Sequence, residues 1–84
     1  MVNIIVDDVI QERFLKFTNS LTETISQLTK NKVYEHQLTY SIWDAKDRQV
    51  LKRILRYLSD NGYLISHEVD DKNEIVNIYI KWSP

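Results

Sequence analysis

The chain of 84 residues has no cysteine, one glycine at Gly62 and one proline at Pro84. Without cysteine there are no disulfide staples and no thiolate metal sites. A single glycine excludes a glycine-rich phosphate loop. With 43% apolar residues and so little Pro and Gly, the composition is not one that keeps a chain unfolded. No apolar run reaches membrane-spanning length. The apolar stretch Val2–Val6 is short, and Asp7 and Asp8 follow it at once. A secretory leader needs a basic start and a longer apolar segment. The expectation is one small domain over residues 1–84, cytoplasmic, with no membrane association. A large excess of either charge is also lacking. The net charge of −1 is below that of most non-specific DNA binders, so the distribution of charge carries more information than its sum.

What is present falls into five stretches. Val2–Val6 is β-branched and reads as a short strand. Asp7 or Asp8 suits a helix N-cap. From Val9 to Lys30 there is no Gly or Pro, and Ile10, Phe14, Phe17, Leu21, Ile25 and Leu28 recur at spacings of three and four. That pattern predicts a long helix with one apolar face. The weak helix formers Thr18, Asn19, Ser20 and Thr22 mark a place near Asn19 where it could break or kink. The spacing also approaches a heptad, so helix 9–30 is a candidate seam for a homodimer.

Residues 33–43 carry two patterns at once. Tyr34, His36, Leu38, Tyr40 and Ile42 alternate, as in a strand, while Tyr34, Leu38 and Ile42 are four apart, as in a short helix. Strand propensity favours the first reading. Residues 44–61 are clearer. Asp44 or Asp47 can cap a helix whose apolar stripe is Val50, Leu51, Ile54, Leu55 and Leu58. Gly62 stands where a left-handed C-terminal cap is needed. Residues 63–69 and 74–82 then read as two strands joined by the turn-forming Asp70-Asp71-Lys72-Asn73. Val76, Ile78, Ile80 and Trp82 share the inward face of the second strand.

The run DRQVLKRILRYLSDNGYLISHEVDDKNEIVNIYIKW, Asp47 to Trp82, resembles winged helix-turn-helix domains. Val50, Ile54, Leu55 and Leu58 match the helix core of that family, and Gly62-Tyr63-Leu64-Ile65 matches the entry into its wing. With the long N-terminal helix read from periodicity, which exceeds what a minimal winged helix needs, the resemblance implies an α+β fold with two further helices and a C-terminal β-hairpin wing. It implies a helix over Tyr34–Ile42, ahead of the recognition helix, with Leu38 and Ile42 as core contacts. The chain departs from the family in its extra Val2–Val6 run and in a glycine-free turn at Trp43-Asp44-Ala45-Lys46. A strand over 33–43 would instead give an α+β fold with no groove-binding helix. The fold alone does not assign function, since winged helices also bind proteins.

The chemistry concentrates on the helix before Gly62. Lys46, Arg48, Lys52, Arg53 and Arg56 face only Asp44 and Asp47 over residues 44–57, a local charge of +3. Arg48, Gln49, Lys52, Arg53 and Arg56 lie opposite the apolar stripe. In a winged helix this face enters the major groove, where Arg and Gln read base edges and Lys and Arg hold phosphates. The resemblance therefore implies a double-stranded-DNA-binding transcriptional regulator using Lys46, Arg48, Gln49, Lys52, Arg53 and Arg56. The plain alternative is a solvated helix face rich in helix-favouring cations. Asp70, Asp71 and Glu74 around Lys72 make an acidic wing tip, which phosphate would repel and a basic protein partner would favour. The second functional reading is accordingly a protein-interaction module. Tyr34, Tyr40, Trp43, Tyr63, Tyr79 and Trp82 are its candidate anchors, although Trp82 and several tyrosines suit the core. His36 and His67 are too few and too distant in sequence for a metal site. No nucleophile motif or paired carboxylates suggest catalysis, so neither cofactor nor enzymatic activity is expected.

Overall fold

Five elements follow one another in the computed structural model, which describes residues 8–83. They are α1 (Asp8–Lys30), β1 (Glu35–Ser41), α2 (Ala45–Asp60), β2 (Leu64–Asp70) and β3 (Ile75–Lys81). The strand expected over Val2–Val6 and a cap at Asp7 lie outside the described residues.

Helix α1 runs unbroken through the Thr18–Thr22 stretch. Thr18 is buried and its hydroxyl donates to the Phe14 carbonyl at 2.9 Å, so its polar group is satisfied within the helix. Both helices end in the same hydrogen-bonded cap. At α2, the Tyr63 N–H donates to Leu58 O and the Gly62 N–H to Ser59 O, each at 3.1 Å, with Gly62 at φ 86°. At α1, Val33 donates to Leu28 O and Lys32 to Thr29 O, with Lys32 at φ 60°. These are the two bonds of the Schellman motif, and Gly62 occupies its left-handed position without a steric cost.

The expected pair of helices after α1 is reduced to one. Residues 35–41 form β1, not the helix placed over Tyr34–Ile42. The strand wins because it pairs along its whole length with β3, which sits between β1 and β2 in an all-antiparallel sheet of order β1-β3-β2. Leu38 lies opposite Ile78 and Tyr40 opposite Val76, so the alternation of β1 matches that of β3. The four-residue spacing of Tyr34, Leu38 and Ile42 is also even, and therefore equally compatible with one face of a strand. The hairpin matches expectation to within a residue or so at each end.

Both helices cover one face of the sheet. The deepest side chains are Val50, Ile54 and Leu58 of α2 with Val76, Ile78 and Ile80 of β3, each stabilising by about 1.5–3 kcal/mol on burial. Helix α1 adds Ile10, Leu21 and Ile25 to the same cluster. Edge-to-face ring pairs join its flanks, Phe14 to Tyr57 at 5.8 Å and Phe17 to Tyr40 at 5.5 Å between centroids. The other sheet face is solvated, as antiparallel sheets allow. Among the described residues no helix is long and apolar enough to cross a membrane.

Candidate nucleic-acid interface

The basic face begins with how α2 starts. Asp44 is its N-cap, and its carboxylate accepts from the Asp47 N–H at 3.0 Å. Asp47, one turn later, is buried at 4% exposure. Its carboxylate accepts from Arg13 Nη1 and the Tyr40 hydroxyl, both at 3.0 Å, and from the Trp43 N–H at 2.8 Å. Arg13 also reaches Asp44 at 3.1 Å. One buried carboxylate thus ties α1, β1 and the β1–α2 loop to the first turn of α2. A buried charge is tolerable because it is paired and hydrogen-bonded. The Asp47 N–H, and then the Arg13 guanidinium, hold the Asp44 carboxyl below its usual range. Burial, and then the bond to Asp47, push the Tyr40 phenol up.

With Val50, Leu51, Ile54 and Leu58 turned into the core, the opposite side of α2 faces solvent. Arg48, Lys52 and Arg56, four residues apart, form one exposed row. Lys46, Gln49 and Arg53, at spacings of three and four, form a second exposed row beside it. All six candidates therefore lie on the solvent side of one helix. They are not equivalent. Arg53 Nη1 donates to Gln11 Oε1 on α1 at 3.2 Å. Arg56 Nε stands 3.9 Å from Asp60 Oδ2, an exposed pair of little strength. Arg48 lies at the far flank, on the wall of a cleft.

That cleft, about 270 Å³, separates the first turn of α2 from the hairpin tip. Arg48 and Trp43 line one side; Val69, Asp70, Asp71 and Glu74 line the other. The acids of the hairpin tip therefore adjoin the N-terminal end of the basic face. Lys52, Arg53 and Arg56 do not line the cleft. At the tip, the Asn73 side-chain amide donates to Asp70 Oδ2 at 2.8 Å and its N–H to Oδ1 at 3.2 Å. Those bonds lower the Asp70 pKa from its ordinary value. The Ile42 N–H donates to Glu74 O at 2.8 Å, joining the loop to the turn.

The aromatic candidates divide. Trp82 is half-buried, donates from Nε1 to Thr29 Oγ1 at 2.9 Å and packs edge-on against Tyr63. Trp43 is 83% exposed. The alternation of Val76, Ile78, Ile80 and Trp82 already places Trp82 on the inward face, whereas Trp43 follows the alternating stretch in a loop. His36 on β1 and His67 on β2 have β3 between them, and no group of three metal-ligating side chains occurs among the described residues.

No family model, curated protein or solved structure matches this chain. The functional reading therefore rests on the geometry of the site.

Proposed function

We propose that this chain is a small double-stranded-DNA-binding protein of the winged-helix type, a cytoplasmic transcriptional regulator that presents α2 to the major groove. The observation that carries the reading is the double row on α2, with Arg48, Lys52 and Arg56 in one file and Lys46, Gln49 and Arg53 in the next. The first file runs from Arg48 to Arg56, eight rises or about 12 Å of helix, which is comparable with the width of the major groove. The direct exit of α2 through Gly62 into the β2–β3 hairpin supports the winged-helix resemblance. Residues 35–41 form the strand weighed above against a groove-binding helix, and no helix stands between α1 and α2. The reading therefore rests on α2 itself, whose basic rows remain exposed to solvent.

The helix supplies the contacts and the hairpin tip does not, since Asp70, Asp71 and Glu74 repel phosphate. Arg and Gln are suited to base edges and the lysines to the backbone. A pair of copies would read two half-sites. The apolar stripe of α1 is occupied by the core, so pairing through α1 would use its exposed Val9 and Leu15. Fluorescence anisotropy with random and selected duplexes at low salt tests the reading. Binding that is lost when Arg48, Lys52, Arg53 and Arg56 become Ala supports it. Absence of binding, or binding unchanged in that variant, removes it.

A further inference from the structure

The most exposed large apolar side chain described is Trp43. Tryptophan is usually well covered in a folded chain, and here its backbone is held in place. Its N–H is bound to Asp47 Oδ2, and the preceding Ile42 N–H to Glu74 O. The indole borders three depressions: the cleft beside α2, a smaller hollow at Asn73 and Glu74, and a shallow surface with Phe17 and Tyr40. Across the cleft stands Val69, 54% exposed. It lies on the inward face of the sheet, opposite the buried Val76, where neither helix covers β2. An exposed aromatic on a fixed backbone, beside an uncovered aliphatic, is the make-up of an interface anchor.

The charge around it says what would cover it. Four carboxylates line the cleft, from Asp44, Asp70, Asp71 and Glu74, against the single cation Arg48. Asp44 is matched by Arg13. The carboxylates of Asp71 and Glu74 make no hydrogen bond or ion pair with the described residues. Nucleic acid is repelled at this position. In a second copy the basic face of α2 carries no exposed large apolar side chain to meet Trp43 and Val69. The exposed Leu64, opposite Lys81, does offer an apolar side chain beside a cation, and sedimentation distinguishes that occupant. We propose that the Trp43 cleft docks a segment of another protein in which an arginine or lysine adjoins an apolar side chain. The cation lies over the indole and bonds to Asp71 or Glu74, while the apolar neighbour packs on Val69. This site is separate from the exposed rows of α2 and stands whether or not those rows bind DNA.

The test uses the full chain and two fluorescein-labelled peptides, one alternating arginine with leucine and one alternating glutamate with leucine. The variants are Trp43→Ala and the pair Asp71→Asn with Glu74→Gln, each at exposed positions. Lys52→Ala with Arg56→Ala, outside the cleft, is the control. The Arg–Leu peptide should bind, and each cleft variant should weaken it about tenfold. The control should leave it unchanged, and the Glu–Leu peptide should bind far less. Equal binding of both peptides overturns the proposal, as does a Kd that neither cleft variant moves beyond about twofold. A free chain that sediments as a dimer, and becomes a monomer in Trp43→Ala, also overturns it, because the occupant would then be a second copy.

Discussion

The exposed rows of α2 and the cleft at its first turn share one helix and carry opposite charge. On the rows, five cations project with Gln49 from a helix whose other side is core. At the cleft, carboxylates of the hairpin tip face Trp43 and Arg48. The rows follow from helical periodicity alone, since a buried stripe leaves the rest of the helix to water. The cleft depends on tertiary structure, because β1 must pair with β3 before the loop at Trp43 can meet the turn at Glu74. The first surface tolerates local change. The second depends on Asp47, which joins both.

Removing Asp47 should therefore have the largest effect. Asp47→Ala leaves Arg13, the Tyr40 hydroxyl and the Trp43 N–H without their shared acceptor. Chemical denaturation should show a loss of about 3 kcal/mol. Reversing charge separates the two surfaces next. Lys52→Glu with Arg56→Glu should weaken duplex binding by about 100-fold at low salt. Asp71→Lys with Glu74→Lys should strengthen it by about threefold, because repulsion beside Arg48 is removed. If both pairs shift affinity the same way, the comparison between the surfaces fails.

A smaller effect is expected at the joint between helix and hairpin. A Cβ on Gly62 would meet nothing within 4 Å, so Gly62→Ala is opposed only by the left-handed backbone at φ 86°. Thermal or chemical unfolding should show a loss of about 1 kcal/mol. Smaller still is the effect of acid. The Asp44 and Asp70 carboxyls both lie below their ordinary 3.8 when folded. Such groups contribute stability that is complete above the unfolded value and lost as pH falls through the lowered folded value. Stability should decline below about pH 4, and Asp44→Asn should reduce that decline. Trp43→Ala should change unfolding by less than about 0.5 kcal/mol, since little of the side chain is buried.

Much of the fold was legible in the residues. The stripe from Val50 to Leu58, the lone Gly62 and the alternation of Val76, Ile78 and Ile80 each specify an element through a local rule. Residues 33–43 satisfied two rules, and the deciding interaction was non-local: Leu38 and Tyr40 pair with strand residues nearly forty positions away. The winged-helix resemblance pulled that stretch toward a helix against its own strand propensity. The basic rows were legible because side-chain exposure follows from helical phase. The role of Asp47 was not, because a cap and a buried acceptor have the same residue type and differ only in what α1 and β1 bring to them. Trp43 was one of six aromatic candidates; the alternation set Trp82 aside, and the paths of the loop and hairpin distinguish Trp43 from the rest.

The salt dependence of duplex binding tests the central claim most directly. The slope of log affinity against log salt should be steep for the natural chain. It should become shallower by about 0.9 for each phosphate contact removed as Arg48, Lys52, Arg53 and Arg56 are replaced by Ala. Binding that is absent at low salt, or whose slope is the same with and without those four side chains, would contradict the account.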